Sequence, residues 1–407
     1  MLTRRIFLRG SAIAMAGAGS VPFWLGRAAA AAGGRRKTLV AIFQRGAADG
    51  LNVVVPFSEK RYYELRPTLG IPAPGSNNGP QPAIDLDGKF ALNPVLQPFK
   101  ALWDKQMLAI VEATGSPDPS RSHFDAQDYM ESGTPGMKRD GWLNRALPLV
   151  AGGSPLRAVA MSANLPRTLQ GDCPAIAIND VKQFQTSQDN AAIIEHMYAA
   201  SPDKQLASAG KDAFSAMRMI QSLSRTQYNP AGGAQYGQAG ELGRALQQVA
   251  QLIKADAGVE AAFAEIGGWD HHQNEPVAMN NVLRQFGAAI SAFCRDMGDG
   301  MEDIVLVTMS EFGRTAAENG NNGTDHGHGD LMFVLGGPVR GGKVYGKWPG
   351  LDHEQLYEGR DLAVTTDFRQ VLSELVSGHL GTRDMSQVFP GFQPAAPLGL
   401  LKTEASL

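Results

Sequence analysis

The stretch Ile304-Val305-Leu306-Val307-Thr308-Met309-Ser310-Glu311-Phe312-Gly313-Arg314-Thr315 decides how this chain folds on paper. A β-branched apolar run stops at an acid and an arginine. A loop rich in glycine and asparagine follows, then Thr324-Asp325-His326-Gly327-His328-Gly329-Asp330, then a second apolar run, Leu331 to Leu335. Runs this uniformly apolar fit strands buried on both faces, as in a parallel sheet. Ligand crevices in such sheets lie outside the carboxyl ends of the strands, so polar residues gathered there are candidate site residues.

The same pattern recurs on either side. Thr38 to Phe43, Met107 to Ala113, Leu156 to Met161, Ala175 to Ile178 and Ala261 to Ile266 read as strands. Pro94 to Lys105, Phe124 to Glu131, Glu195 to Arg225, Gly240 to Ala255, Pro276 to Met297 and Asp367 to Ser377 carry helical spacing. Strands alternating with helices predict an α/β fold: a mainly parallel sheet with helices on both faces. One domain over residues 35–397 is expected, with a helical insertion at about 187–255 and a Gly/Ala/Gln loop, Tyr228 to Ala239, read as mobile.

A 407-residue chain with 43% hydrophobic and 19% charged residues is globular, with room for a large core. A net charge of -3 gives no electrostatic reason to expect nucleic acid or an anionic membrane as partner. Thr3-Arg4-Arg5-Ile6-Phe7-Leu8-Arg9 matches the twin-arginine export pattern. A weakly apolar stretch and Ala28 to Ala32, with several Ala-x-Ala sites, follow it. Residues 1–32 are therefore expected to be a signal peptide read by the twin-arginine export machinery, leaving a periplasmic or secreted protein with no stable membrane span. Cys173 and Cys294 are the only cysteines; they can pair or stay as buried thiols.

Four polar knots follow expected strands: Arg45 to Gly50, Ser120 to Asp128, Gly267 to Gln273, and Glu311 onward. Their acids and histidines make Asp49, Asp270, His272, Glu311, His326 and His328 candidate ligands. Oxygen and imidazole donors suit a divalent metal: zinc, manganese, magnesium or calcium. Neighbours on an extended segment point opposite ways, so only one of His271 and His272 is expected to coordinate. Ser122, just before a helix, is the candidate nucleophile; a serine needs a metal or a base to react at neutral pH. Arg314 suits bidentate contact with an oxyanion. His123 is not counted among the ligands. Bland readings stand beside these: Ser122-x-x-Asp125 as a helix cap, Asp49-Gly50 as a turn, and Glu311 with Arg314 as a structural ion pair.

The order of these knots resembles the alkaline phosphatase-like superfamily, which includes sulfatases and cofactor-independent phosphoglycerate mutases. The resemblance implies that Asp49 stands at the first metal-binding Asp, Asp270 with His272 at the Asp/His pair, and His326 or His328 at the final His. It also sets Glu311-Phe312 where those enzymes carry Asp-His. More closely, Arg45-Gly46-x-x-Asp49-Gly50-Leu51-Asn52, Ser122-His123-Phe124-x-Ala126-Gln127, Gly268-Trp269-Asp270-x-His272 and Ser310-Glu311-Phe312-Gly313-Arg314-Thr315 resemble the exported family called domain of unknown function 1501. That implies an alkaline phosphatase-like fold and no established reaction. The expectation is an exported metal-dependent hydrolase of phosphate or sulfate esters, or a related oxyanion substrate, on a small molecule or polysaccharide. The alternative is a degenerate, non-catalytic member that acts as a periplasmic binding or assembly protein.

Overall fold

In chain order the strands of this computed structural model are β1 (Thr38–Gln44), β2 (Val54–Val55), β3 (Ile84–Asp85), β4 (Ala91–Leu92), β5 (Leu108–Gly115), β6 (Ala158–Ala160), β7 (Ala175–Ala177), β8 (Ala261–Ile266), β9 (Ile304–Ser310), β10 (Asp330–Gly336), β11 (Lys343–Tyr345) and β12 (Thr366–Asp367). The structure describes residues 36–77, 80–134, 140–148, 154–181, 195, 198–202, 204–225 and 227–402. The expected signal peptide and the start of the expected insertion lie outside the described residues.

Residues from Thr38 onward form one unit built on a nine-stranded sheet. Its order is β11-β5-β10-β9-β1-β8-β6-β7, with β12 beside β5. Every residue of β1 is buried, and its side chains alternate between two cores. Val40 and Ile42 pack toward the helices Gln97–Asp104, Gly240–Lys254 and Glu275–Met297. Leu39, Ala41 and Phe43 pack toward Trp142–Ala146 and Phe368–Leu375. A strand covered on both faces has no solvent side, so it reads as an unbroken apolar run rather than an alternation.

The sheet is mainly parallel, but β10 runs antiparallel to both β9 and β5. A parallel return needs a crossover, usually helical. The chain between Glu311 and Gly329 forms no helix, so it doubles back instead. That reversal brings five chain segments to one sheet edge. Gln44 is level with both Ile266 and Ser310, so β1, β8 and β9 end together. Asp330, where β10 begins, is level with Thr114, one residue before β5 ends. The segments after β1, β5, β8 and β9, and the one before β10, therefore emerge side by side.

The Tyr228 to Ala239 loop is tied down rather than free. Buried Asp296 accepts from the hydroxyls of Tyr228 (2.6 Å) and Tyr236 (2.9 Å) and from the Ala231 N–H (2.6 Å), and pairs with Lys254. Cys173 and Cys294 are both free and buried. No helix among the described residues is long and apolar enough to cross a membrane.

Candidate metal centre

After β8 the chain stays extended. Trp269 and His271 turn inward and are buried, while Asp270 and His272 turn toward solvent. This period-two alternation puts Asp270 and His272 on one side. The exit of β1 presses close against them. Gly46 has a φ of 116°, and a Cβ on it would lie 2.7 Å from the Asp270 nitrogen, so only glycine fits there.

Four side chains from three segments converge. Asp270 Oδ1 lies 3.0 Å from His272 Nε2 and 3.3 Å from His326 Nε2. The two Nε2 atoms are 3.0 Å apart. His123 Nε2 lies 3.7 Å from Asp270 Oδ2, and one donor atom each from His123, Asp270 and His326 falls within 4.8 Å of the others.

The far ring nitrogens fix the tautomers. His326 Nδ1 faces the Arg121 carbonyl at 3.1 Å, His123 Nδ1 faces Glu311 Oε1 at 2.8 Å, and His272 Nδ1 faces Asp325 Oδ1 at 3.0 Å. Carbonyls and carboxylates only accept, so each Nδ1 donates. Three Nε2 atoms are then left facing the Asp270 carboxylate. The buried Nε2 of His123 has no hydrogen-bond partner. A cation among the Nε2 atoms and the carboxylate would be held by all of them at once. A histidine whose other nitrogen is held by a carboxylate or carbonyl is how proteins orient metal ligands. The donor set therefore fits a divalent cation of the zinc or manganese kind.

Charge around the centre follows from its supports. The hydrogen bond that His123 donates to Glu311 raises the His123 pKa against the opposing effect of burial. Burial pushes the Glu311 carboxyl up, but donors from His123, Gln127 and the Gly46 N–H outweigh it and hold the group ionised, below the usual range. Burial lowers the His326 pKa, with His123 and Arg314 adding to the effect. Asp270 is held low because Arg314 offsets its burial.

The expected site residues separate into those at the centre and those elsewhere. Asp270, His272 and His326 meet there. Glu311 sits one step behind, with both oxygens engaged by His123, Gln127, Gly46 and Ser310. Arg314, expected to grip an oxyanion, is buried and committed instead. It donates to the carbonyls of Gly46, Ala47, Trp269 and Thr324 and to Asp270 at 2.5 Å. Asp49, expected as a ligand, is buried under Arg66, which grips both of its oxygens at 2.5 and 2.8 Å. His328 stacks on the Tyr357 ring, centroids 4.3 Å apart. Ser122 is the N-cap of the helix His123–Ser132, yet its hydroxyl makes no capping hydrogen bond. His123, not counted among the candidate ligands, joins Asp270 and His326 at the centre. Its signal was its place at the sheet edge, in the first turn of a helix that follows β5. Phe312 packs against the rings of His123 and His326, centroids 5.2 and 5.1 Å away, and fills the space beside them.

Below the centre lies a second set of acids. Asp330 is buried, and neither of its oxygens completes a hydrogen bond among the described residues. Its Oδ1 fits only because residue 50 is glycine; a Cβ there would come within 2.5 Å. Burial holds the Asp330 carboxyl well above its ordinary pKa, with Asp49 and Glu311 adding to the effect. Buried Glu112, on neighbouring β5, is raised for the same reason. A group raised on folding contributes stability that is fully present below its unfolded pKa of about 3.9 and is lost as pH rises through the folded value. Asp330→Asn removes this loss. Its thermal midpoint should exceed that of the native protein at pH 8, by the equivalent of about 1–2 kcal/mol, with the gap closing toward pH 4. A midpoint at pH 8 equal to or below the native one would show that Asp330 is ionised and paired.

A family model described as "Protein of unknown function (DUF1501)" matches residues 103–388. No curated protein matches the chain. Among solved structures, the chain is similar to an alkaline phosphatase superfamily protein from Vibrio parahaemolyticus, at 13% identity and a TM-score of 0.26, over 74% of this chain and 60% of that one. It thus spans under two thirds of that protein's length. It is also similar to the alkaline phosphatase of the Antarctic bacterium TAB5, at 8% identity and a TM-score of 0.28, over 75% of this chain and 93% of that one. A third is Ps i-CgsB in complex with k-i-k-neocarrahexaose, at 11% identity and a TM-score of 0.34, over 88% of this chain and 74% of that one.

Proposed function

We propose, from the premise that the chain belongs to the DUF1501 family of proteins of unknown function, that it is an exported metal-dependent hydrolase of phosphate or sulfate esters or a related oxyanion. The observation that carries this reading is the convergence of three Nε2 atoms on Asp270 while every Nδ1 is held from behind.

His123, Asp270, His272 and His326 would hold the cation, and a bound cation would supply Lewis-acid polarisation of the ester oxygen. Asp270 and His272 are partly open to solvent, so a substrate can reach the centre. Ser122 precedes the ten-residue helix His123–Ser132, whose N-terminal N–H groups and dipole favour an oxyanion or alkoxide. Its uncapped hydroxyl is available as nucleophile. Glu311 and Asp325 hold two of the imidazoles by Nδ1, which keeps their Nε2 atoms aimed at the centre. Arg314 locks the Asp270 carboxylate and works as a positioning residue. The twin-arginine stretch Thr3 to Arg9 supports export by the twin-arginine machinery to the periplasm.

A second reading, a periplasmic binding protein without turnover, draws on Phe312, whose ring packs against His123 and His326 and offers no ligand atom for a further ion. One experiment separates the two. Protein expressed with its own N-terminus and recovered from the periplasm is analysed for metal after growth with zinc, manganese, magnesium and calcium, then assayed for phosphate and sulfate release from small esters and polysaccharides. The hydrolase reading expects about one equivalent of metal per chain, and turnover that Ser122→Ala removes without removing the metal. Metal below about 0.2 equivalents sinks the metal reading. A full equivalent without turnover favours the binding protein.

A further inference from the structure

We propose that Asn319 is a positioning residue of the metal centre. Its side-chain amide holds His272 from behind, through the His272 carbonyl and through Asp325, and so sets where the imidazole points. The proposal rests on the metal-centre reading and adds to it the residue that aims its most open ring.

His272 needs such a hold. Its side chain is 43% exposed, against 27% for His123 and 24% for His326. Packing covers it least, so hydrogen bonds must fix its direction. Asn319 supplies them from the loop between β9 and β10, 47 residues away in the chain. Its Nδ2 donates to the His272 carbonyl at 3.0 Å and to Asp325 Oδ1 at 3.2 Å. That same Asp325 oxygen accepts from His272 Nδ1 at 3.0 Å. One amide therefore reaches both ends of His272, the backbone directly and the ring through one carboxylate. The other end of the amide, Oδ1, accepts from the N–H groups of Asn321 at 2.8 Å and Gly323 at 3.2 Å. A carbonyl and a carboxylate only accept, and backbone N–H groups only donate. The amide thus has one orientation here, with both donors and both lone pairs in use.

The rest of the loop keeps this amide in place. The Asn319 N–H donates to the Gly323 carbonyl at 2.8 Å and closes the turn. The turn lies along the segment His271 to Glu275. The N–H groups of Asn274 and Glu275 donate to the carbonyls of Asn321 (3.3 Å) and Asn322 (2.9 Å), and the Thr324 N–H donates to the His271 carbonyl (3.0 Å). Gly323 lets the two segments touch, because a Cβ there would lie 2.4 Å from the His272 carbonyl carbon. His326 follows three residues later, so the loop that grips His272 also brings the second imidazole to it, Nε2 to Nε2 at 3.0 Å. Groups of this kind, one step behind a ligand, orient it and tune its affinity for a metal.

The test is the zinc affinity of the whole protein, read by competition with a chelator. Asn319→Ala should bind zinc about tenfold less tightly than the native protein. Asn319→Asp keeps the acceptor for Asn321 and Gly323, and with it the turn, but sets a carboxylate against two acceptors. It should bind zinc no better than Asn319→Ala, although added negative charge by itself favours a dication. Combined with Asp325→Ala, the Asn319→Ala loss should be smaller than the product of the two single losses, because both act on one imidazole. With cobalt in place of zinc, the two single alanine variants should show the same displaced absorption bands at saturating metal, a signature that a merely structural role would not move. Native or tighter zinc affinity in Asn319→Asp, or fully independent losses in the double variant, would overturn the proposal and leave the metal centre standing. Failure of the native protein to take up zinc or cobalt would overturn the reading of the centre and this proposal with it.

Discussion

Asp270→Ala should empty the centre. Asp270 is the one carboxylate that meets all three imidazoles, at 3.0, 3.3 and 3.7 Å. It is also the counter-charge of Arg314, whose side chain is fully buried and whose Nη2 lies 2.5 Å from Oδ1. Removing the carboxylate leaves an uncompensated guanidinium beside three imidazoles, so an arriving dication meets a cation where an anion stood. Loss of a supporting group behind a ligand already costs 10–100-fold in metal affinity as a rule. Loss of the ligand and its charge together should cost more than about 100-fold, read by competition with a chelator of known affinity. Asp270→Asn, which keeps the shape and drops the charge, should fall between the two. Native metal affinity in Asp270→Ala would place the cation elsewhere.

Arg66→Ala should be strongly destabilising. Arg66 is buried with Asp49 and holds both carboxylate oxygens, and it also donates to the carbonyls of Thr315 and Ala316. Breaking a buried pair by removing one partner strands a charge, which costs about 3–5 kcal/mol. Although burial pushes the Asp49 carboxyl up, Arg66 holds it below the usual range in the native protein. That contribution is present above the unfolded pKa of about 3.9 and is lost as pH falls through the lower folded value. Without Arg66 the sign reverses: Asp49 must take up a proton to stay buried, so the deficit should be largest near pH 8 and shrink toward pH 4. Denaturant unfolding at both ends of that range measures it. Adding Asp49→Asn should recover part of the loss at pH 8, because an amide carries no charge to strand. A deficit below about 1 kcal/mol would show that the pair is solvated.

The fold was more legible than the site, for a physical reason. Strands buried on both faces announce themselves by unbroken apolar runs, so β1, β8, β9 and β10 stood out in the sequence within two residues of their observed ends. Their direction did not, because an apolar run carries no arrow. The cue to the antiparallel β10 was the absence of a helix between Glu311 and Gly329. At the site, Asp270, His272 and His326 could be picked out because strand ends point to them. Asp49 and Arg314 have side chains that suit a site, but sequence carries no depth. Arg66 lies 17 residues from Asp49, and nothing in the local pattern ties the two. His123 is the weakest candidate in the sequence, and the residues around it, Ser122 and Asp125, read as helix-start residues. Its partner, Glu311, lies 188 residues away.

That separation also bears on how the centre comes into being. The hydrogen bond that orients His326 joins residues 205 apart in the chain, and Asp325 reaches back 53 residues to His272. Contacts of such long sequence separation close large loops and form late in folding. No shorter piece of the chain contains the ligand set, because His326 enters only as β9 gives way to β10. The unfolded chain therefore offers a cation no preformed cage, and binding can reward only a chain whose central strands are already in register. On the metal-centre reading, cation uptake would be a readout of completed assembly rather than its trigger, a latch closed last on a finished sheet.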